Sequence, residues 1–260
     1  MNGTVNNLYC YPIKGLSAQS LEAVSLVQGE GFPSDRVYGL VRPKSGFDPE
    51  NPKPLPKTKF LMLAREEALS LIDTNFDNET GTLMIRSDQQ SAYFDITTKS
   101  GCASASRFLS DFLGISPKLQ PTLYSSKPHR FTDVSVVSAA MMNSVSLINL
   151  DSVNYLSEQI GHPVEPARFR GNILFSGLAP FSELDLVGKL IEIGEVRLKV
   201  VFSSTLISSL LAGLANADLE ASYDLSSVCS RVNRHWRRLR RKSLCALGAM
   251  FQVARQFHMA

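Results

Sequence analysis

Four cations sit in turn-like contexts where they could meet an anion: Lys14 in YPIKGL, Arg36 in GFPSDRVYGLV, and Arg168 and Arg170 in PARFRGN. A guanidinium offers a planar fork that matches two oxygens of a phosphate, whereas an ammonium acts as a compact point charge. Arg168 and Arg170 are two residues apart, so on a strand they would share a face. Each also has a structural reading. Lys14 could be an ordinary turn lysine, and Asp35–Arg36 an ion pair of small energetic consequence. Arg170 could be a surface arginine beside a strand, Asn172 a turn cap, and His162 a turn residue rather than a base. The four cysteines, Cys10, Cys102, Cys229 and Cys245, form no C-x-x-C pair, which argues against a zinc site or a disulfide framework.

A second basic feature is the cluster RVNRHWRRLRRK. On a helix, Arg231, Arg234, Arg238 and Arg241 would share one side, with Trp236 available for stacking on a base. No nucleic-acid motif surrounds the cluster, and such runs are usually solvated tails, so a non-catalytic or degenerate protein whose basic tail binds nucleic acid or another polyanion is kept only as the alternative. The charge is unevenly placed. Up to Leu225 the chain has 19 basic and 24 acidic residues, whereas the remainder has eight basic and no acidic ones. All 13 prolines fall between Pro12 and Pro180. The acidic body gives the basic tail an intramolecular partner.

With 260 residues and 44% apolar content, the chain can bury a substantial core. The N-terminal stretch has neither a signal-peptide pattern nor a transit-peptide pattern, so the expected location is cytoplasmic. The longest uncharged run, Val200 to Ala217, is interrupted by Ser203, Ser204, Thr205, Ser208, Ser209 and Asn216, which argues against a membrane span.

The elements that must position these residues are mainly strands at first. VNNLYCYPI reads as one strand, and LEAVSLVQGEGFPSDRVYGLVRP as two strands joined through a turn. Residues 46–58, with four prolines, form an exposed loop. FLMLAREEALSLID places Leu61, Leu63, Ala64, Ala68, Leu69 and Ile72 near one helical face, although its first residues could equally start a strand. GTLMIR and SAYFDI suggest a strand pair. SASRFLSDFLG suggests a helix with Phe108, Leu109, Phe112 and Leu113 inward, ending at Gly114. After a Pro-rich connector come strand VSLIN, helix NLDSVNYLSEQIG and strand NILFSG, then the strands LIEIGE and VRLKVV.

YPIKGL followed by GFPSDRVYGLV resembles the β-barrel domain that precedes MOSC domains. FTDVS, VSLINLDSVNYL, PARFRGNILFSG and ELDLVGKLIEIGEVRLKVV resemble the MOSC domain itself, in order and spacing, so that the resemblance covers roughly residues 4–201. It implies binding of the molybdenum–molybdopterin cofactor, and a parent activity in an oxidoreductase or a sulfur-transfer protein. One relative is the mitochondrial amidoxime-reducing component, which reduces N-hydroxylated compounds. An electron-donor protein is the partner such chemistry would require. By the same resemblance, Lys14 matches the family's YP-x-K lysine and Arg36 its D-R arginine. Arg168, Arg170 and Asn172 match its R-F-R-x-N segment, with Arg170 and Asn172 expected to face the cofactor. Asn149 lies where relatives have a small polar residue.

The pattern then stops. The family's strand matching VRLKVV runs into a basic, threonine-containing motif with a molybdenum-ligating cysteine about six residues on, and here that position falls near Ile207. Neither arginine, lysine nor cysteine occurs between Val200 and Asp218. Cys229 lies too far along to carry the role, and a ligand role for Ser204, Ser208 or Ser209 would depart from the family. No metal ligand is therefore assigned, and enzymatic turnover is left open. A shifted reading frame near codon 201, a replaced terminus or a divergent branch would each account for the stop; the frame shift is favoured. Leu206, Ile207, Leu210, Leu211 and Leu214 follow helical spacing, so residues 202–260 are expected not to complete the sheet. The expected architecture is α+β and β-rich: an N-terminal mixed β-barrel domain (1–120), an incomplete MOSC β-barrel domain with peripheral helices (121–201), and a divergent basic segment (202–260).

Overall fold

The computed structural model describes residues 2–88, 90–125, 127–205 and 249–254, the last stretch and residues 202–205 as backbone. The strands are β1 (Thr4–Cys10), β2 (Gln19–Leu21), β3 (Tyr38–Val41), β4 (Asp73–Asp77), β5 (Thr82–Arg86) and β6 (Ser91–Asp95). They continue with β7 (Thr122–Ser125), β8 (Val145–Asn149), β9 (Ile173–Ser176), β10 (Leu190–Ile193), β11 (Val196–Thr205) and β12 (Ala249–Ala254). The helices are α1 (Lys99–Phe112), α2 (Ala139–Met142) and α3 (Leu150–Ile160). The fold class is therefore α+β and strand-rich. Among the described residues, no helix is long and apolar enough to cross a membrane.

The chain divides into two compact units, each discontinuous in sequence. One comprises Cys10–Ser20 and Glu30–Asn143. In it β4, β5 and β6 form an antiparallel sheet in that order. Period-two alternation turns Thr74 and Phe76, then Leu83 and Ile85, to the inside. Helix α1 is capped by Thr98, whose hydroxyl accepts from the Gly101 amide at 3.0 Å. A Cβ at Gly101 would lie 1.8 Å from the Asp95 carbonyl oxygen, so only glycine fits. Leu109 and Ala105 on α1 complete a core with Leu40, Leu69, Ile72, Leu123 and the sheet's inner face. The Leu123 amide donates to Ser106 Oγ at 2.9 Å, tying β7 to α1. Strand β7 in turn pairs antiparallel with β3.

Three local expectations change here. Residues 60–73 form no α-helix: Phe60 bridges to Val41, and only Glu67–Leu71 make a 3-10 turn. Burial of Leu61, Leu69 and Ile72 sets that path, rather than helical periodicity. The first strand expected in 21–41 shrinks to β2. The Pro-rich connector also contains a strand, β7, because its partner β3 lies far away in sequence and leaves no local mark.

The other unit comprises Met1–Tyr9, Leu21–Gly29 and the chain from Ser144 onward. Its sheet contains β10-β11-β12-β8-β9-β1 in that order. Strands β8 and β9 are parallel and joined by α3. Gly161, with φ 75°, ends that helix in the left-handed region expected of such a cap. Val153, Leu156 and Ile160 pack from α3 onto Ile148 and Leu174. The expectation that the chain after 201 adds no strand is corrected at two places. Strand β11 runs on to Thr205, and β12 is hydrogen-bonded between β11 and β8. The helical spacing over 206–214 and the arginine cluster lie outside the described residues.

Candidate functional site

Lys14 and Arg36 come together in one unit through backbone pairing around three short segments. The Lys14 amide donates to the Tyr38 carbonyl (2.9 Å) and the Tyr38 amide to the Pro12 carbonyl (3.0 Å). The Arg36 amide donates to the Tyr11 carbonyl (2.7 Å), and the Phe131 amide to the Arg36 carbonyl (2.8 Å). Gly39 makes the last contact possible, since a Cβ there would lie 2.7 Å from the Phe131 ring.

The Lys14 side chain is buried, and its ammonium donates to the Phe131 carbonyl at 2.9 Å. It also pairs with Asp133 and lies 5.3 Å from the centroid of the Phe60 ring. Arg36 pairs with its neighbour Asp35 and stacks its guanidinium 4.9 Å from the centroid of the Tyr11 ring. Asp35 is itself buried and accepts from the Tyr11 amide at 2.9 Å. Desolvation works against the charge on Arg36, but the Asp35 carboxylate outweighs it and holds the guanidinium above its ordinary range. Asp133 is pushed up by desolvation, yet the net shift is downward because Lys14, then Arg36 and Lys57, stabilise the carboxylate.

Sequence reasoning missed Asp133 and Arg130 here. Arg130 donates to the carbonyls of Phe32 (2.6 Å) and Asp35 (2.8 Å), fixing the loop that carries Arg36. FTDVS was a recognisable motif, but nothing in it marks Asp133 as the partner of a lysine 119 residues earlier.

The remaining candidates belong to the other unit. Asn172 is 1% exposed and bolts three strands together. Its Oδ1 accepts from the Ser146 amide (3.1 Å) and hydroxyl (2.7 Å), and its Nδ2 donates to the Tyr9 carbonyl (3.1 Å). Asn149 ends β8 and caps α3, its Oδ1 accepting from the Asp151 amide at 3.1 Å. Its Nδ2 donates to Glu183 at 2.8 Å, and Ser152 Oγ donates to the same carboxylate at 2.6 Å. Glu183 is 1% exposed, and burial pushes its pKa up while these hydrogen bonds pull it down.

Arg168 and Arg170 do not lie on a strand, contrary to the sequence expectation. Pro166–Phe169 form a 3-10 turn, with Arg168 exposed and Arg170 half-buried at its end in the left-handed region, φ 52°. Pro166 at the start of the turn favours this path. Gly171 follows because a Cβ there would lie 2.3 Å from Ile148.

Among the described residues, no group of three histidine, cysteine or acidic side chains comes together as a metal cage. Burial pushes the Cys10 thiol up to about 11. It raises Cys102 as well, and Cys102 donates to the Ile96 carbonyl. Neither presents a thiolate near neutral pH.

These features define a strand-rich α+β protein carrying a lysine–arginine pair on one unit. The MOSC N-terminal beta barrel domain matches residues 2–116 and the MOSC domain matches residues 134–205, together most of the chain. The chain belongs to the family of MOSC domain-containing proteins. No curated protein matches it. The family match ends at Thr205, where β11 also ends.

Proposed function

We propose that this chain binds the molybdenum–molybdopterin cofactor, with Lys14 and Arg36 receiving its phosphate. MOSC domains usually bind that cofactor, and the observation that favours it here is the gathering of the two cations around Phe131 and Asp133. A buried ammonium and a stacked guanidinium fit a phosphate: Lys14 supplies a fixed point charge, and Arg36 a fork held by Asp35 and the Tyr11 ring. Arg170 and Arg168 add positive charge to the second unit, in the turn between α3, which Asn149 caps, and β9, whose start Asn172 ties to β8 and β1.

The residues fit the anionic part of the group. For the metal, the family's cysteine position falls near Ile207, outside the described residues, and no described thiol takes its place. The proposal is therefore binding of the pterin without a cysteine from the family position. When bound, the group supplies a molybdenum centre, and turnover there would call for an electron-donor protein.

The test is to express the full chain in cells that make molybdopterin and to measure bound pterin by fluorescence and molybdenum by elemental analysis. Pterin near one per chain is expected, with molybdenum substoichiometric. Lys14→Met and Arg36→Met should each reduce pterin content at least tenfold. Absence of pterin from the unsubstituted protein would overturn the proposal.

A further inference from the structure

We propose that Asp133 is a resident counter-ion of the Lys14–Arg36 site, one that an incoming phosphate must displace and that thereby sets the site's affinity. The inference rests on the reading of that pair as an anion site.

Its basis is an asymmetry of exposure across one ion pair. The Lys14 side chain is 8% exposed and that of Asp133 is 60% exposed. Lys14 is further held by the Phe131 carbonyl and the Phe60 ring, so the ammonium is fixed within the protein. Asp133 comes from a 3-10 turn, Asp133–Val136, and faces solvent. An anion arriving from solvent therefore meets the carboxylate before it reaches the ammonium.

A largely buried cation needs a compensating charge, because removing one partner of such a pair leaves the other charge uncompensated. In the free protein Asp133 supplies it. A phosphate that docks on Lys14 replaces one carboxylate contact with its own oxygens, and Asp133, whose side chain is already 60% exposed, can turn to water and recover hydration there. Lys57 and Arg36 also attract Asp133, so its displacement leaves a site with three nearby cations for the phosphate. Like-charge repulsion between Asp133 and a phosphate would otherwise lower affinity and disfavour ligands of higher charge.

The experiment is titration calorimetry of the purified full chain with inorganic phosphate and with inorganic pyrophosphate at fixed ionic strength. Unsubstituted protein, Asp133→Asn, Lys14→Met and the double variant are compared. Asp133→Asn preserves size and lets the amide oxygen still accept from Lys14; Asp133→Ser is the second variant if the first folds poorly by circular dichroism. Asp133→Asn should bind phosphate about tenfold tighter, with a larger gain for pyrophosphate, and the gain should vanish in the Lys14→Met background. A merely structural role for Asp133 would instead weaken binding. Phosphate binding that is unchanged or weaker in Asp133→Asn, with the unsubstituted protein still binding, overturns the inference and leaves the anion site standing. If no variant binds either anion, the anion-site reading falls, and the inference with it.

Discussion

Arg36 and Arg170 hold φ angles of 50° and 52°, in a region that side-chain-bearing residues seldom enter. Each is fixed there by backbone bonds, Arg36 through Tyr11 and Phe131, Arg170 through Ala167. Ser34, Lys44 and Phe181 hold such angles too, so the conformation alone does not mark a binding residue; it fixes the direction in which each side chain leaves the backbone. Asn172 and Asn149 show the other side of the same pattern, since their amides serve strand pairing and helix capping. Glu183 was invisible in the sequence because a glutamate two residues past Phe181 looks like surface, and only the return of the 177–182 loop onto Asn149 and Ser152 buries it. Its folded pKa lies above the ordinary glutamate value of about 4.3. The folded state then binds more protons than the unfolded one in that window, so Glu183's contribution to stability is present at acid pH and lost as pH rises through the raised value. Urea unfolding from pH 4 to 7 should show the unsubstituted protein losing stability relative to Glu183→Gln as pH increases. Parallel curves for the two proteins would contradict this assignment.

Elements held together by local signals were legible: the β5–β6 pair, α1 with its Gly114 stop, and the β8–α3–β9 unit with Gly161 behind the helix all carry their own periodicity and caps. Elements defined by distant partners were not. Strand β7 hides among prolines because β3 is its reason to exist, and Leu61, Leu69 and Ile72 mimic a helical face while following a buried, mostly irregular path. Strand β12 is the strongest case. AMFQVA follows an arginine-rich stretch and carries no family motif, yet its backbone pairs Val253 with both Val200 and Val145. A strand between two others cannot accept proline without losing a ladder hydrogen bond. Val253→Pro is thus expected to destabilise the protein by on the order of 3 kcal/mol and to promote association through the opened edges of β8 and β11. Chemical denaturation and light scattering measure both effects. An unchanged midpoint with monodisperse scattering would show that β12 contributes nothing to the sheet's stability.

At the scale of the whole chain, the segments 1–120, 121–201 and 202–260 follow composition and motif, whereas the compact units follow packing, and packing need not respect chain order. Strand β1 comes from the first ten residues and pairs antiparallel with β9, Leu8 opposite Ile173 and Thr4 opposite Ser176. Tyr9 adds two bonds to Asn172, its amide donating to the Asn172 carbonyl at 2.8 Å and its carbonyl accepting from Nδ2. A fragment beginning at Ser144 contains most of the segment matched to the MOSC domain, 134–205, but lacks this strand. Without it, β9 presents an open edge, and the Asn172 side-chain amide loses the Tyr9 carbonyl as its acceptor. Such a fragment is therefore expected to be insoluble or to lack cooperative unfolding, although it carries most of the segment matched to the MOSC domain. Supplying residues 1–9 through a flexible linker ahead of Ser144 should recover part of the lost order, because the strand then pairs within one chain. Circular dichroism melts and amide hydrogen exchange on the two fragments decide the point. Equal protection of β9 amides with and without residues 1–9 would show that β1 is dispensable and that the later segment folds by itself.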